Sequence, residues 1–396
     1  MFENIVVCDK DTGCLLAHEM GLGKTLQVIA LMMTIAEANS SDNADVRRQI
    51  PARLQRLSAV IVCPPGLVAN WEAEISKWVP NEMLGRVCAG TTPGGVETWA
   101  KEGGVIIKGI QAFKDMARPE KNVIETAATL VVCDEAQTIK NEKTGMWKAM
   151  TEFKTKNRIA LTGTPLSRDA IDVQCVMNWA VPNLLPEGKV FKKEYDNPIR
   201  LGLFEESTGS AKLLAQQQVR QLQAIIGPKL HRCGISVISH EMPSKKEFLI
   251  LMPIPPLQKA LYEAYLDWQT GEKMGGLGPF ELVTNLRPLL AHPRVFRGTK
   301  AGGKPAFTTI MESEIPSTLN DEMASNKVRV LIHIVEESRR LGEKVLVFSQ
   351  SIPTLMGGRR RVEVIESCHG YQPHVRGKWA EWQDSLKDMR DMYVYM

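Results

Sequence analysis

The stretch GCLLAHEMGLGKTLQVIAL, residues 13–31, decides the fold. Its apolar start, 13–17, predicts a strand, and the apolar segment from residue 25 to about 38 predicts a helix. The glycine-bearing turn GLGKT, residues 21–25, joins the two. A strand that passes through such a turn directly into a helix is typical of a phosphate-binding loop, in which backbone N–H groups and the helix N-terminus face the phosphate.

The residues of this turn match the chemistry of a nucleotide site. Gly21 and Gly23 would let the backbone turn its N–H groups toward a phosphate. Lys24 would reach the β- and γ-phosphates, and Thr25 would offer its hydroxyl to Mg²⁺. The strict pattern G-x-x-x-x-G-K-[ST] fails at its first position, which is His18. A bare G-x-G-K-T also suits an ordinary strand-to-helix turn with a surface lysine, but the flanking strand and helix favour the nucleotide site.

A nucleotide site also needs an acidic residue at the end of another buried strand, and LVVCDEAQ, residues 130–137, supplies it. Asp134 is placed to hold Mg²⁺ through water, and Glu135 to accept a proton from the attacking water. An Asp-Glu pair alone is more typical of a solvated loop. Combined with the phosphate loop, it predicts Mg²⁺-dependent hydrolysis of a nucleoside triphosphate.

Further apolar runs extend the fold outward from the loop. The segments 59–63, 105–107 and 158–161 are continuously apolar rather than alternating, which predicts strands buried on both faces of a parallel sheet. A helix is expected over 67–78, and the polar segment 40–52 is expected to be a surface insertion. The first part of the chain is therefore an α/β lobe.

Beyond about residue 186 the pattern changes to helices at 211–226 and 257–268, with 297–325 expected to be a linker. An amphipathic helix over 326–341, stopped by Gly342, and a strand over 344–348 then predict a new α/β lobe. The expected domains are 1–185 for the first lobe, 186–325 for the helical region and linker, 326–355 for the start of a second lobe, and 356–396 for a divergent tail.

Composition excludes several classes of protein. The chain has 396 residues, 44% hydrophobic and 24% charged, which argues against a disordered or fibrous protein. Its eight cysteines include no C-x-x-C pair, which argues against a zinc site and fits a reducing compartment. The longest apolar stretch, 26–36, is too short for a membrane span, and no signal peptide is evident. The net charge of +4 is too small to indicate a nucleic-acid binder by itself, although the basic excess lies in the second half.

Five stretches, in order, are GCLLAHEMGLGKTLQ, VIVCPPGLVANWEAEISKW, VVCDEAQTIKN, RIALTGTPLS and KVLVFSQSIPTL. Together they resemble the motifs of Swi/Snf-type ATPases, which are double-stranded DNA translocases of helicase superfamily two. His18, where most of that family has Asp, and the SIPTL after FSQ are similar to the ATRX branch. The resemblance covers roughly residues 13–355. It implies a RecA-like P-loop lobe with a parallel sheet, a helical region, and the beginning of a second RecA-like lobe.

The resemblance also implies roles for individual residues. ATP and Mg²⁺ would be bound by Gly21, Gly23, Lys24 and Thr25, with Lys24, Asp134 and Glu135 catalytic and Thr25 and Asp134 holding Mg²⁺. Gln137 stands where many members have His, which in the family links the ATP site to the DNA-bound face; a glutamine can still form hydrogen bonds there.

Two further segments resemble the family's DNA-coupling elements. Thr162, Gly163 and Thr164 resemble the motif that couples hydrolysis to movement between the lobes. Pro64 and Pro65, with Asn70 and Trp71 behind them, resemble the segment that contacts the DNA backbone. The rings of Trp71 and Trp78 are interpreted as core anchors, and His292, in LLAHPRV, as a structural residue.

The sequence departs from the family pattern at both ends. Only twelve residues precede Gly13, so the Gln-bearing segment that recognises adenine is expected to be missing. Similarity ends near Leu355, and the tail, although it contains Arg359-Arg360-Arg361, lacks the motif that supplies two arginines to the γ-phosphate. We expect residues from about 326 onward to pack poorly, with a lone strand that has unpaired edges. A truncated gene model, a splice variant or a frameshift would each account for this.

Two functions follow from these observations. The first is an ATP-dependent double-stranded DNA translocase of the chromatin-remodelling type, nuclear, contacting the DNA backbone largely without sequence preference, with chromatin proteins as further partners and no membrane. The second is an ATP-binding fragment without turnover, because the arginine motif of the second lobe is missing. An unrelated P-loop switch is disfavoured by the DEAQ, LTGTP and FSQ strings. The family function is the preferred interpretation.

Overall fold

A computed structural model describes residues 1–8, 13–88, 94–163, 170–242, 246–271, 279–313, 324–343, 345–349, 353–354 and 392–395. The chain divides into two compact units, Met1–Ser244 and Lys245–Met396. Among the residues in these ranges, no helix is both long enough and apolar enough to cross a bilayer.

The first unit is an α/β fold around a seven-stranded parallel sheet. Its strands are β1 (Cys14–Leu16), β2 (Ser58–Cys63), β3 (Val87–Cys88), β4 (Gly104–Gly109), β5 (Leu130–Cys133), β6 (Arg158–Leu161) and β7 (Leu230–His231). They lie in the order β3-β4-β2-β5-β6-β1-β7. The expected α/β class of the first lobe, with a parallel sheet, is confirmed.

The central strands are buried on both faces, as their continuous apolar runs predict. Side chains alternate along β2: Val60 and Val62 join one apolar core, whereas Ala59 and Ile61 join the core on the opposite face. The sheet therefore lies between two layers of helices, which is the arrangement that a parallel sheet requires.

The helices of the first unit are α1 (Lys24–Ser40), α2 (Ala44–Gln49), α3 (Val68–Trp78), α4 (Gly95–Glu102), α5 (Ile110–Lys114), α6 (Arg118–Ala127), α7 (Gly145–Thr151), α8 (Ala170–Ala180), α9 (Gly188–Phe191), α10 (Asn197–Gly202) and α11 (Gly209–Ile226). In α1, Val28, Met32 and Ile35 recur at helical spacing and face the core. By contrast, α2 buries no side chain, which agrees with the polar surface insertion expected over 40–52.

The first unit continues beyond residue 185, where the sequence places the end of the first lobe. Phe191 is fully buried, and it shares one apolar core with Trp179, Leu222 and Ile226. Helices α9 to α11 therefore belong to the same compact unit as the sheet, because their apolar side chains complete one of its two cores.

The second unit contains α12 (Pro256–Gly271), α13 (Pro279–Ala291), α14 (Pro293–Arg297), α15 (Pro305–Ser313) and α16 (Asn326–Arg340). Tyr265, Phe296 and Phe307 are fully buried, with ring centroids 5.5 to 6.1 Å apart. The expectation that 297–325 is a linker is wrong for α15, because Phe307 places that helix in the aromatic core. Residues 314–323 lie outside the described ranges.

The end of the chain differs from the expectation of a lone strand. Helix α16 buries Val328, Leu331 and Ile332, and Gly342 follows it with φ +72°. Strand β8 (Val345–Phe348) pairs in parallel with β9 (Met392–Tyr395), in the register Val345↔Met392. The tail thus supplies a partner for the strand. The Arg359–Arg361 run lies outside the described residues.

Candidate nucleotide site

The order of the strands brings the residues of the candidate site close together. All strands are parallel, so their carboxyl ends lie at one edge of the sheet, here called the carboxyl edge. Strand β6 lies between β5 and β1. The loop after β1 (Ala17–Gly23), the pair Asp134-Glu135 after β5, and Thr162-Gly163 after β6 are therefore neighbours. Thr164 lies outside the described residues.

The glycines of the loop after β1 adopt the conformation expected of a phosphate-binding turn. Gly21 has φ +84° and Gly23 has φ +68°, a region that favours glycine. A Cβ placed on either glycine would meet nothing within 4 Å, so the backbone is open on that side. Helix α1 begins at Lys24 directly after this turn, which places its N-terminal N–H groups at the open face.

Lys24 lies inside its own loop and faces the two carboxylates. Its Nζ donates hydrogen bonds to the carbonyl oxygens of His18 (2.9 Å) and Glu19 (3.2 Å). Burial lowers the pKa of Lys24, and the charges of Glu135 and Asp134 oppose that shift. The side chain that the sequence assigns to phosphate binding is thus held between the loop and the acidic pair.

A distant segment that sequence reasoning missed, Cys233–Ile235, supports the loop from outside. The backbone N–H of Cys233 donates to Nδ1 of His18 (2.9 Å), and that of Ile235 donates to Oε2 of Glu19 (2.7 Å). His18 is buried, and burial lowers its pKa, so the ring serves as a neutral acceptor. No local signal could reveal these contacts, because the partners lie more than 200 residues apart.

Asp134 is fixed at both carboxylate oxygens. Its backbone N–H donates to the carbonyl of Val62 (2.8 Å) and so continues the pairing of β5 with β2. Oδ1 accepts from the backbone N–H of Glu135 (2.9 Å), and Oδ2 accepts from the indole Nε1 of Trp71 (2.9 Å). Burial raises the pKa of Asp134, while these two hydrogen bonds lower it.

A chain of hydrogen bonds joins the acidic pair to the loop after β6. Glu135 adopts φ +51°, and its Oε2 accepts from Nε2 of Gln137 (2.7 Å). Oε1 of Gln137 accepts from Oγ1 of Thr162 (3.0 Å). Gln137 thus bridges the two loops through the nitrogen and the oxygen of its amide.

Gly163 lies directly against the phosphate-binding loop. A Cβ at this position would come within 2.9 Å of Cγ of Met20 and 3.4 Å of Nζ of Lys24. The absence of a side chain therefore allows the loop after β6 to approach Lys24 closely.

The segment expected to contact DNA also follows a strand at the carboxyl edge. Pro65 is exposed and begins a short 3₁₀ turn, Pro65–Leu67, that leads into α3. The two tryptophans of α3 differ from each other. Trp71 is fully buried, as expected of a core anchor, and also reaches Asp134. The interpretation of Trp78 as a core anchor is wrong: its ring is 44% exposed and its Nε1 donates to Glu74.

His292, outside this site, has the structural role expected of it. The residue is buried, and its Nδ1 accepts from the backbone N–H of Arg294 (3.0 Å), which caps α14.

The arrangement fits a magnesium-bound nucleoside triphosphate. An ionised carboxylate offers about four lone-pair sites, so each oxygen of Asp134 keeps capacity beyond its one hydrogen bond. Mg²⁺ prefers oxygen ligands and retains several waters, which suits Asp134 with the hydroxyl of Thr25 in the first turn of α1. The open backbone at Gly21 and Gly23, together with Lys24, could bind the phosphates.

Comparisons with known proteins identify the family of this chain. A model of the SNF2-related domain matches residues 4–295. Protein CHROMATIN REMODELING 20 of Arabidopsis thaliana is 29% identical, over 90% of this chain and 28% of that protein. Transcriptional regulator ATRX of Mus musculus is 30% identical, over 66% of this chain and 11% of that protein.

Among solved structures, the Sulfolobus solfataricus SWI2/SNF2 ATPase core in complex with dsDNA aligns over 97% of this chain and 74% of that chain, with 24% identity and a TM-score of 0.45. The matched region spans 28% and 11% of the two curated relatives, so each of them is far longer than the part to which this chain corresponds.

Proposed function

This chain belongs to the SNF2-related domain family, and we propose that it is an Mg²⁺-dependent ATPase whose turnover is coupled to movement on double-stranded DNA. The proposal rests mainly on one observation: Lys24, Asp134 and Glu135 lie close together at the carboxyl edge of the sheet. The charges of Glu135 and Asp134 both act on Lys24. These three residue types are the ones that phosphate binding, metal binding and water activation require.

Each residue of the site has a defined task in this proposal. The backbone of Gly21 and Gly23 lies against the phosphates, and Lys24 contacts the β- and γ-phosphates. Thr25 and Asp134 hold Mg²⁺, which when bound neutralises charge on the phosphate oxygens. Glu135 accepts the proton of the attacking water.

In this proposal, the loops beside the acidic pair couple the ATP site to bound DNA. The chain Glu135–Gln137–Thr162 joins the proposed proton acceptor to the loop that resembles the coupling motif of the family. Pro64 and Pro65 lie at the end of β2, next to β5, and provide a surface for the DNA backbone. Recognition through phosphates is largely independent of sequence.

The proposed setting is the nucleus, with chromatin as the substrate. The names of the two relatives, a chromatin-remodelling protein and a transcriptional regulator, support this setting. Chromatin proteins are then further partners.

The test is ATP hydrolysis by the 396-residue chain in Mg²⁺, with and without duplex DNA. Wild type should hydrolyse ATP faster with DNA, and Lys24→Ala should not. Lys101→Ala removes an exposed lysine on α4, near the start of β4 and away from the carboxyl edge, and serves as the matched control. Hydrolysis that persists in Lys24→Ala would contradict the site.

A second outcome would favour the other candidate function. If wild type binds ATP without turnover, the chain is an ATP-binding module that lacks the arginines of a complete second lobe. Such arginines contribute about 10³-fold or more in related NTPases, so their absence would be visible in the rate.

A further inference from the structure

Trp71 makes a contact that core packing alone does not require. Its ring is fully buried on α3, and its Nε1 donates to Oδ2 of Asp134 at 2.9 Å. Trp99 and Trp179 are equally buried, but their indole N–H groups donate to the backbone carbonyls of Gly104 and Met150. Trp71 instead directs its donor to the carboxylate at the end of β5.

This contact fixes the orientation of the Asp134 side chain. Oδ1 is held by the backbone N–H of the next residue, a bond that comes with the local chain. Oδ2 is held by the Trp71 side chain, which is 63 residues away in the sequence. The ring of Trp71 and the neighbouring Ile75 belong to one of the two apolar cores that flank the sheet. With both oxygens held, the plane of the carboxylate is fixed before any ligand arrives.

We propose that Trp71 is a positioning residue that orients Asp134 for Mg²⁺; this inference rests on the proposed ATPase function. A hydrogen bond from a neutral donor to a carboxylate contributes more than one to a neutral carbonyl. Mg²⁺ demands nearly ideal octahedral geometry, so a carboxylate that rotates freely would bind it less well. The indole N–H therefore acts on the metal through Asp134.

The first experiment tests the contact itself by NMR of the ¹⁵N-labelled indole groups in the full chain without nucleotide. The Trp71 signal is identified by its loss in Trp71→Phe, and the Trp99 signal by its loss in Trp99→Phe. Asp134→Asn should shift the Trp71 signal and leave that of Trp99 in place. An unmoved Trp71 signal would overturn the proposal.

The second experiment measures ATP affinity at equilibrium, in Mg²⁺ and in EDTA. In Trp71→Phe the gain in affinity that Mg²⁺ provides should fall by about tenfold, as expected for one hydrogen bond to a charged group. The affinity in EDTA should be unchanged. Trp99→Phe leaves a similar cavity and removes a similar indole donor, and it should change neither value.

The outcomes separate this inference from the function on which it rests. Equal loss of affinity in Mg²⁺ and EDTA, or no loss at all, would overturn the positioning role while leaving the ATP site intact. If wild type binds no ATP even in Mg²⁺, the proposed function fails and the positioning role fails with it. The NMR result would then describe a purely structural hydrogen bond.

Discussion

At the scale of single residues, hydrogen bonds hold the side chain of Glu135, the proposed proton acceptor, in place. Its backbone lies in the left-handed region at φ +51°, a conformation that a non-glycine residue adopts only when its surroundings fix it. Its carboxylate is held by Gln137, which in turn is held by Thr162. The network thus orients one carboxylate oxygen of the residue proposed to accept the proton of the attacking water.

Glu135→Gln should separate binding from chemistry. The amide keeps the shape of the side chain but cannot take up a proton, so hydrolysis should fall by about 10²- to 10⁴-fold while ATP affinity stays the same. Single-turnover hydrolysis and equilibrium binding measure the two quantities. The exposed Glu97→Gln on α4 is the control, and an equal loss of ATP binding in Glu135→Gln would show that Glu135 has another role.

Gly163→Ala should weaken ATP binding by crowding the loop around Lys24. The new Cβ would lie 2.9 Å from Cγ of Met20, so Met20 must move toward Lys24 or away from it. We expect a loss of several-fold in affinity, on the order of 1 kcal/mol, because overpacking costs about 1–3 kcal/mol.

The double variant Met20→Ala/Gly163→Ala checks this explanation. Met20 is 62% exposed, so its truncation alone should change little. Removing it should restore the affinity of Gly163→Ala. If affinity stays low in the double variant, the collision with Met20 is not the cause.

At the scale of helices and strands, the sequence predicted the parts of the site that local patterns encode. Strand β6 has the predicted bounds, β2 begins one residue earlier, and β5 ends directly before Asp134 as expected, because continuous apolar runs mark strands buried on both faces. Lys24, Asp134 and Glu135 follow such strands, so their common edge was also predictable.

The remaining features depend on contacts between distant segments. Strand β7 is only two residues long and pairs with β1 across more than 200 residues. It is too short to show a recognisable pattern of apolar residues in the sequence. The hydrogen bonds of Cys233 and Ile235 to the phosphate-binding loop follow from that pairing. The partner of β8 was likewise missed, because the four residues of β9 carry no signal of their pairing.

Helices α6 and α7 lie near a cluster of charged side chains around the buried Glu125, which should make the stability of the first unit depend on pH. Glu125, on α6, is almost fully buried, and burial with a hydrogen bond to Glu152 raises its pKa from 4.5 to about 7. Arg118 and Lys121 face the same group. The pKa of Glu152 is lowered, chiefly by its hydrogen bond to Arg118, so this carboxylate stays ionised at pH values below its ordinary titration range.

The free energy of unfolding should fall as pH rises from 5 to 8. Native Glu125 binds a proton that an unfolded glutamate has released, so its contribution is complete below pH 4.5 and is lost as pH rises through about 7. The change should be on the order of 2 kcal/mol. Glu125→Gln should flatten this dependence in urea unfolding, and Glu97→Gln should not. A wild-type stability that rises over this range would contradict the assignment.

At the scale of the whole molecule, the two compact units differ in what they contain. The first holds every element of the candidate nucleotide site that the structure describes, together with the Pro64–Pro65 segment. The second holds an aromatic helical core and the β8–β9 pair. The proposed ATP binding is therefore a property of the first unit.

DNA affinity should weaken steeply with salt. Contacts to phosphates release counterions, so log K should fall linearly with log salt concentration, with a slope of about −0.9 per phosphate neutralised on duplex DNA. Binding to a labelled duplex over a range of salt concentrations measures this slope. An interaction that does not respond to salt would point to a protein partner rather than to the DNA backbone.

The central claim is that the carboxyl edge of the first unit binds Mg-ATP through Lys24. Equilibrium ATP binding by wild type, Lys24→Ala and Lys101→Ala, each in Mg²⁺ and in EDTA, tests it most directly. Wild type and Lys101→Ala should bind ATP more tightly in Mg²⁺, and Lys24→Ala should lose about 100-fold or more. Unchanged ATP affinity in Lys24→Ala would contradict the claim.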